Sequence, residues 1–79
     1  MYTVYVISSL KKNFTYTGFT SDLADRITRH NNGYEKSTKP YAPFKLIYTE
    51  MCTSRVEARK REKFLKSGAG RKFLEKFKK

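Results

Sequence analysis

The sequence predicts an α+β fold: a three-stranded antiparallel sheet flanked by helices, in the order β-β-α-β-α-α. Three observations carry this expectation. Two β-branched and aromatic runs lie near the start, separated by a short polar stretch. A third such run follows only after a helix-like segment and a polar loop. The remainder carries apolar residues at helical spacing among many lysines and arginines. The 79 residues are expected to form one domain, 1–79, with a thin single core.

Tyr2-Thr3-Val4-Tyr5-Val6-Ile7 has no helical period and reads as the first strand. Ser8 to Asn13 is a polar turn, and Phe14 to Phe19 is the second strand of a hairpin. If Ser8 faces Asn13, Tyr5 lies directly opposite Tyr16 and on the same face; a slip by one residue would separate them. Thr20 or Ser21 is a candidate N-cap with Asp22 in the first turn, and Leu23 and Ile27 give the i, i+4 stripe of a helix. Gly33 closes that helix. Residues 34–43 include two prolines and read as a surface loop, and Phe44 to Thr49 as the third strand. Ser54-x-x-Glu57 is a capping box that opens a helix running through Leu65 and Lys66 and stopping near Gly68. Arg71 to Lys78 is expected to form a short last helix, with Phe73 and Phe77 one turn apart.

The net charge is +11, and it is uneven: +3 over residues 1–54 and +8 over residues 55–79. Such an excess favours a polyanion, nucleic acid before anionic lipid. With 38% hydrophobic and 32% charged residues the chain is expected to be globular. One cysteine and one histidine cannot supply a four-ligand zinc site, and no internal disulfide can form. The lone Cys52 reads as a buried strand-end residue in a reducing cytoplasm, with no disulfide-linked partner. No run approaches the roughly 20 apolar residues of a membrane span, so no membrane partner is expected. Met1-Tyr2-Thr3 lacks the basic start of a signal peptide.

Several residues could carry chemistry. At about 100° per residue, Asp22, Arg26 and His30 line one edge of the first helix. The planar donors of Arg26 suit a phosphate; the alternative is an ion pair with Asp22. His30 is either a site residue or a helix-end residue favoured by the macrodipole. Glu62 falls on the apolar stripe with Ala58 and Leu65. It either turns into a site or forms a salt bridge with Lys66 or Arg59. Glu57 is explained as the cap partner. The basic surface assigns phosphate contacts to Lys36 and Lys39 in the loop and to Arg59, Lys63, Lys66 and Arg71 on the later helices.

In order, Tyr5, Tyr16-Thr17-Gly18-x-Thr20, Leu23, Arg26, His30-Asn31-x-Gly33, Glu57-Ala58, Glu62 and Lys66 resemble the GIY-YIG endonuclease superfamily over nearly the whole chain. The likeness is greatest to small stand-alone bacterial members, which are similar to the N-terminal nuclease domain found in bacterial excision nucleases. Thr3 and Val4 stand where Gly and Ile are usual, and Thr17 replaces Ile; all keep strand character. The resemblance implies hydrolysis of DNA phosphodiesters with Mg2+ or Mn2+. It makes Tyr5 the general base, Tyr16 a positioner of water or phosphate, and Arg26 the holder of the scissile phosphate. His30 would assist proton movement, and Glu62 would hold the metal. Weak sequence preference, recognition of DNA shape, or dependence on a partner such as a repair or recombination protein is expected because phosphate contacts do not read bases. The alternative is a non-catalytic nucleic-acid-binding module of the same fold within a larger assembly.

Overall fold

The first strand, β1 (Tyr2–Ser9), lies at the centre of the sheet, between β2 (Thr15–Thr20) and β3 (Phe44–Cys52). The computed structural model describes residues 1–77. Both pairings are antiparallel. Covered on both faces, Val4 to Ile7 are completely buried, which explains their unbroken apolar and aromatic run. Alternate side chains serve two cores. Val4 and Val6 meet Ala58, Leu65 and Leu74, whereas Tyr5 and Ile7 meet Leu23, Ile27 and Phe44. Helix α1 (Leu23–Asn31) therefore covers one face, and α2 (Arg55–Lys66) with α3 (Gly68–Leu74) covers the other. Each fully buried Val, Ile or Leu contributes about 1.5–3 kcal/mol relative to exposure.

The expected hairpin register is corrected by two residues. Tyr5 faces Gly18, and Tyr16 faces Ile7. The turn begins one residue later than Ser8: Ser9 N–H donates to Phe14 O at 2.9 Å, and Ser9 Oγ accepts from Lys11 and Lys12 N–H. A shift of two preserves the face, so both phenols still point towards α1. In β3 the register changes between the partners of Val6 and Ile7, leaving Ile47 as a bulge; Ile47 and Tyr48 both pack on the Val4–Val6 core.

The helix ends follow local hydrogen bonding. The N-cap of α1 is Asp22, whose carboxylate accepts from Asp25 N–H at 3.1 Å, and not Thr20 or Ser21. Thr20 instead uses its hydroxyl to accept from Asp22 N–H. At the other end Tyr34 N–H donates to Arg29 O and Gly33 N–H to His30 O, a Schellman closure with Gly33 at φ +76°. Ser54 caps α2 through Glu57 N–H at 3.1 Å. The reciprocal half of the box is not made; burial pushes the pKa of the Cys52 thiol up, and the Glu57 carboxylate adds to the rise. Cys52 ends β3 and is buried. The last helix starts at Gly68, earlier than Arg71, because Ser67 caps it through Gly70 N–H. Its expected last residue, Lys78, lies outside the described residues. Glu50 on β3 takes a bidentate contact from Arg61 on α2, at 2.5 and 3.0 Å, and ties helix to sheet. No helix among the described residues is long and apolar enough to cross a membrane.

Candidate active site

Tyr5 and Tyr16 rise from adjacent strands with ring centroids 6.3 Å apart. His30, in the last turn of α1, drops between them and β3: its ring lies 5.8 Å from Tyr5, 4.9 Å from Tyr16 and 6.0 Å from Phe44. The Tyr5 hydroxyl and His30 Nε2 are 2.9 Å apart in a buried hydrogen bond. Gly18 makes room for this pair. A Cβ there would lie 2.8 Å from the Tyr5 oxygen and 3.1 Å from the Tyr16 ring.

A third member completes the chain of bonds. Thr38 is fully buried, and its Oγ1 lies 2.9 Å from His30 Nδ1 and 3.3 Å from Glu35 O. Residues 34–43, read as a surface loop, thus bury the Thr38 side chain completely, and Tyr41 and Ala42 of the same stretch pack against the core of Tyr5, Ile7 and Phe44. Glu35 holds that loop: its carbonyl accepts from Thr38 and Lys39 N–H, and its carboxylate pairs with Arg29 at 2.9 Å. Asn31 Oδ1 accepts from Phe44 N–H at 2.7 Å and fixes the end of α1 to β3.

Burial pushes the Tyr5 phenol well above the usual tyrosine range; Tyr16, Glu35 and Glu62 add to the rise and Arg26 opposes it. Burial also pushes His30 below its ordinary value, with Arg26 and Arg29 acting in the same direction and Glu35 against them. A neutral imidazole therefore faces a protonated phenol at neutral pH.

The remaining sequence candidates act less directly. Half-buried Arg26 makes no ion pair with Asp22, yet its charge is felt at Tyr5, His30 and Glu35. The charge of Glu62 is also felt at Tyr5, but its carboxylate sits 3.4 Å from Lys66 Nζ, so the salt bridge weighed for it does form. Glu62 offers a hard oxygen donor that is 14% exposed, and no group of three His, Cys, Asp or Glu exists among the described residues. This donor set fits a hard divalent cation held by one carboxylate, water and substrate oxygens, and does not fit a closed protein cage.

Two hollows open on the surface, the first of them bordered by Tyr16. A groove of about 610 Å³ follows the free edge of β2, where Phe14 and Tyr16 meet Leu65, Lys66, Arg71 and Leu74. A second, of about 300 Å³, places Arg55, Arg59, Lys60 and Lys63 beside Phe19 and Val56. The Arg55 guanidinium lies 5.7 Å over the Phe19 ring. Lys36 and Lys39 are exposed on the loop that carries Thr38. Sequence reasoning missed Thr38 and Glu35, because nothing in a polar, proline-containing stretch marks a buried hydroxyl.

Comparison with known proteins bears on the family and the fold. The family model described as the GIY-YIG catalytic domain matches residues 1–76. A UPF0213 protein of Staphylococcus saprophyticus is 39% identical over 72 residues, covering 90% of this chain and 87% of the relative. One from Clostridium perfringens is 41% identical over 64 residues, covering 80% of this chain and 68% of the relative. The solution NMR structure of a UPF0213 protein from Bacillus halodurans superposes with a TM-score of 0.58 at 33% identity, covering 99% of this chain and 86% of that one. The GIY-YIG domain is a nuclease-type domain, generally metal-dependent, that implies a DNA substrate. With its phenol pair, its Arg26 and His30 on one helix and its Glu62 on another, this small α+β chain belongs to the GIY-YIG family.

Proposed function

We propose that the chain is a DNA endonuclease that hydrolyses phosphodiester bonds with Mg2+ or Mn2+. The observation that carries this reading is the buried 2.9 Å hydrogen bond between the Tyr5 hydroxyl and His30 Nε2, beside the Tyr16 ring. Moving a proton fully from tyrosine to histidine costs about 5 kcal/mol from their ordinary pKa values alone. Burial on both partners raises that cost. A concerted transfer avoids it. As the Tyr5 oxygen takes a proton from the attacking water, its own proton passes to His30 Nε2, so the phenol never carries a full negative charge. In the same step the water oxygen bonds to phosphorus and the P–O bond to the leaving oxygen breaks; that oxygen departs with the bonding pair and takes a proton from solvent, and His30 afterwards returns its extra proton to solvent. Arg26 offers two parallel donors to the scissile phosphate and offsets its growing charge. Tyr16, at the mouth of the groove, positions water or phosphate. Glu62 would hold the divalent ion, which when bound supplies Lewis-acid polarisation of the phosphoryl oxygen.

Lys66 and Arg71 in the groove, Arg59 and Lys63 in the second hollow, and Lys36 and Lys39 on the loop are the proposed phosphate contacts. They position DNA without reading its bases. Such cleavage suits DNA repair or recombination, with DNA shape or a partner protein choosing the place. The free, buried Cys52 suits a reducing cytoplasm. Complete burial of Tyr5 favours the second reading, a non-catalytic nucleic-acid-binding module, because water reaches its oxygen only if the site opens.

Nicking of supercoiled plasmid with Mg2+ separates the two. The wild type is expected to nick, and Glu62→Ala and Arg26→Ala to lose activity. Absence of nicking in the wild type, or equal nicking in all three, leaves the binding module.

A further inference from the structure

We infer that Thr38 is a positioning residue that fixes the tautomer of His30, keeping Nε2 bare towards Tyr5; its catalytic consequence rests on the proton-transfer reading above. The argument counts protons in a closed space. Tyr5, His30 and Thr38 are all buried, at 0%, 1% and 0% exposure, so no solvent completes their bonding. Every buried side-chain nitrogen and oxygen among the described residues has a partner. The Tyr5 hydroxyl makes one hydrogen bond, to His30 Nε2.

Two assignments are available. With the proton on Nδ1, Tyr5 O–H donates to Nε2, Nδ1–H donates to Thr38 Oγ1, and the Thr38 hydroxyl donates to Glu35 O at 3.3 Å. Every proton then has an acceptor. With the proton on Nε2, that N–H donates to the Tyr5 oxygen, and the phenolic proton has nowhere to go. An unmet buried donor is costly, so the first assignment wins. A neutral imidazole, as burial favours, has just these two forms.

The hydroxyl at position 38 is what separates them. Without an acceptor there, the Nδ1–H form leaves its own N–H unmet, and the Nε2–H form leaves the phenolic proton unmet. Each then has one orphan donor, and the preference collapses. Serine keeps the acceptor; valine keeps the shape and removes it. When His30 takes up the phenolic proton, Thr38 continues to accept from Nδ1–H and holds the ring in place. The loop that carries Thr38 is anchored by Glu35, so the tautomer is set from outside α1.

The test uses the chain's single histidine, which makes selective 15N labelling unambiguous. The full chain at neutral pH is expected to show a protonated Nδ1 and a bare Nε2. Thr38→Ser is expected to keep that pattern and to keep nicking. Thr38→Val is expected to show both tautomers and to lower kcat by about 10- to 100-fold with KM little changed. A wild-type imidazole protonated on Nε2, or a Thr38→Val chain still wholly in the Nδ1–H form, overturns the inference. The wild-type spectrum decides without any variant having to fold. If the spectra are as expected but the wild type does not nick, the tautomer assignment stands and the nuclease reading falls.

Discussion

The two faces of the sheet share one strand and are built differently. Towards α2 and α3, β1 presents Val4 and Val6 to Ala58, Leu65 and Leu74; the polar tie between Glu50 and Arg61 stays at the rim, where both side chains keep some exposure. Towards α1, the same strand presents Tyr5, and the space beneath the helix contains the polar atoms of His30 and Thr38. The first face holds by shape and area, which tolerate small shifts. The second adds to its own apolar cluster a directed series of hydrogen bonds from Tyr5 through His30 and Thr38 to Glu35 O. Alternation along a strand thus lets neighbouring residues face an apolar core and a buried polar chain separately.

Leu65→Ala should break the apolar face most strongly. Removing a side chain that is 1% exposed leaves a cavity, and a loss of about 2–5 kcal/mol is expected in urea unfolding. Gly18→Ala attacks the other face. Its new methyl group would press on the Tyr5 oxygen at 2.8 Å, so a smaller loss of about 1–3 kcal/mol is expected, together with loss of nicking by the folded protein. A stability loss with nicking retained would show that the Tyr5–His30 contact tolerates displacement.

The smallest effect sharpens the contrast through pH. His30 has a folded pKa below its ordinary value of 6.5. As pH falls below 6.5 the unfolded chain binds the proton first, so stability declines until the folded pKa is passed. Glu50, held down by Arg61, adds its own loss only below its ordinary value of 4.5. Urea unfolding from pH 7.5 to 5 should therefore show a slope that His30→Asn removes and Glu50→Gln leaves in place.

Much of this was legible. β-branched runs marked the strands, Leu23 and Ile27 the covering helix, and the four-residue spacing of Arg26 and His30 placed both on one side of it. The face shared by Tyr5 and Tyr16 was readable because strand periodicity survives a two-residue shift. The register itself was not, because it depends on Ser9, whose hydroxyl gathers two backbone N–H groups and starts the turn. Half of the capping box was similarly misleading: Ser54 accepts from Glu57 N–H, whereas the Glu57 carboxylate makes no return bond to Ser54 N–H. Thr38 was invisible because its role comes from where the chain returns after α1. No periodicity encodes that return.

Tyr16 belongs to both neighbourhoods: its ring packs on His30 and also borders the groove along β2. Whatever molecule enters that channel rests on the same aromatic wall that confines the imidazole. One ring thus forms a wall of the closed pocket on one side and of the open groove on the other, so a displacement of Tyr16 would be felt on both.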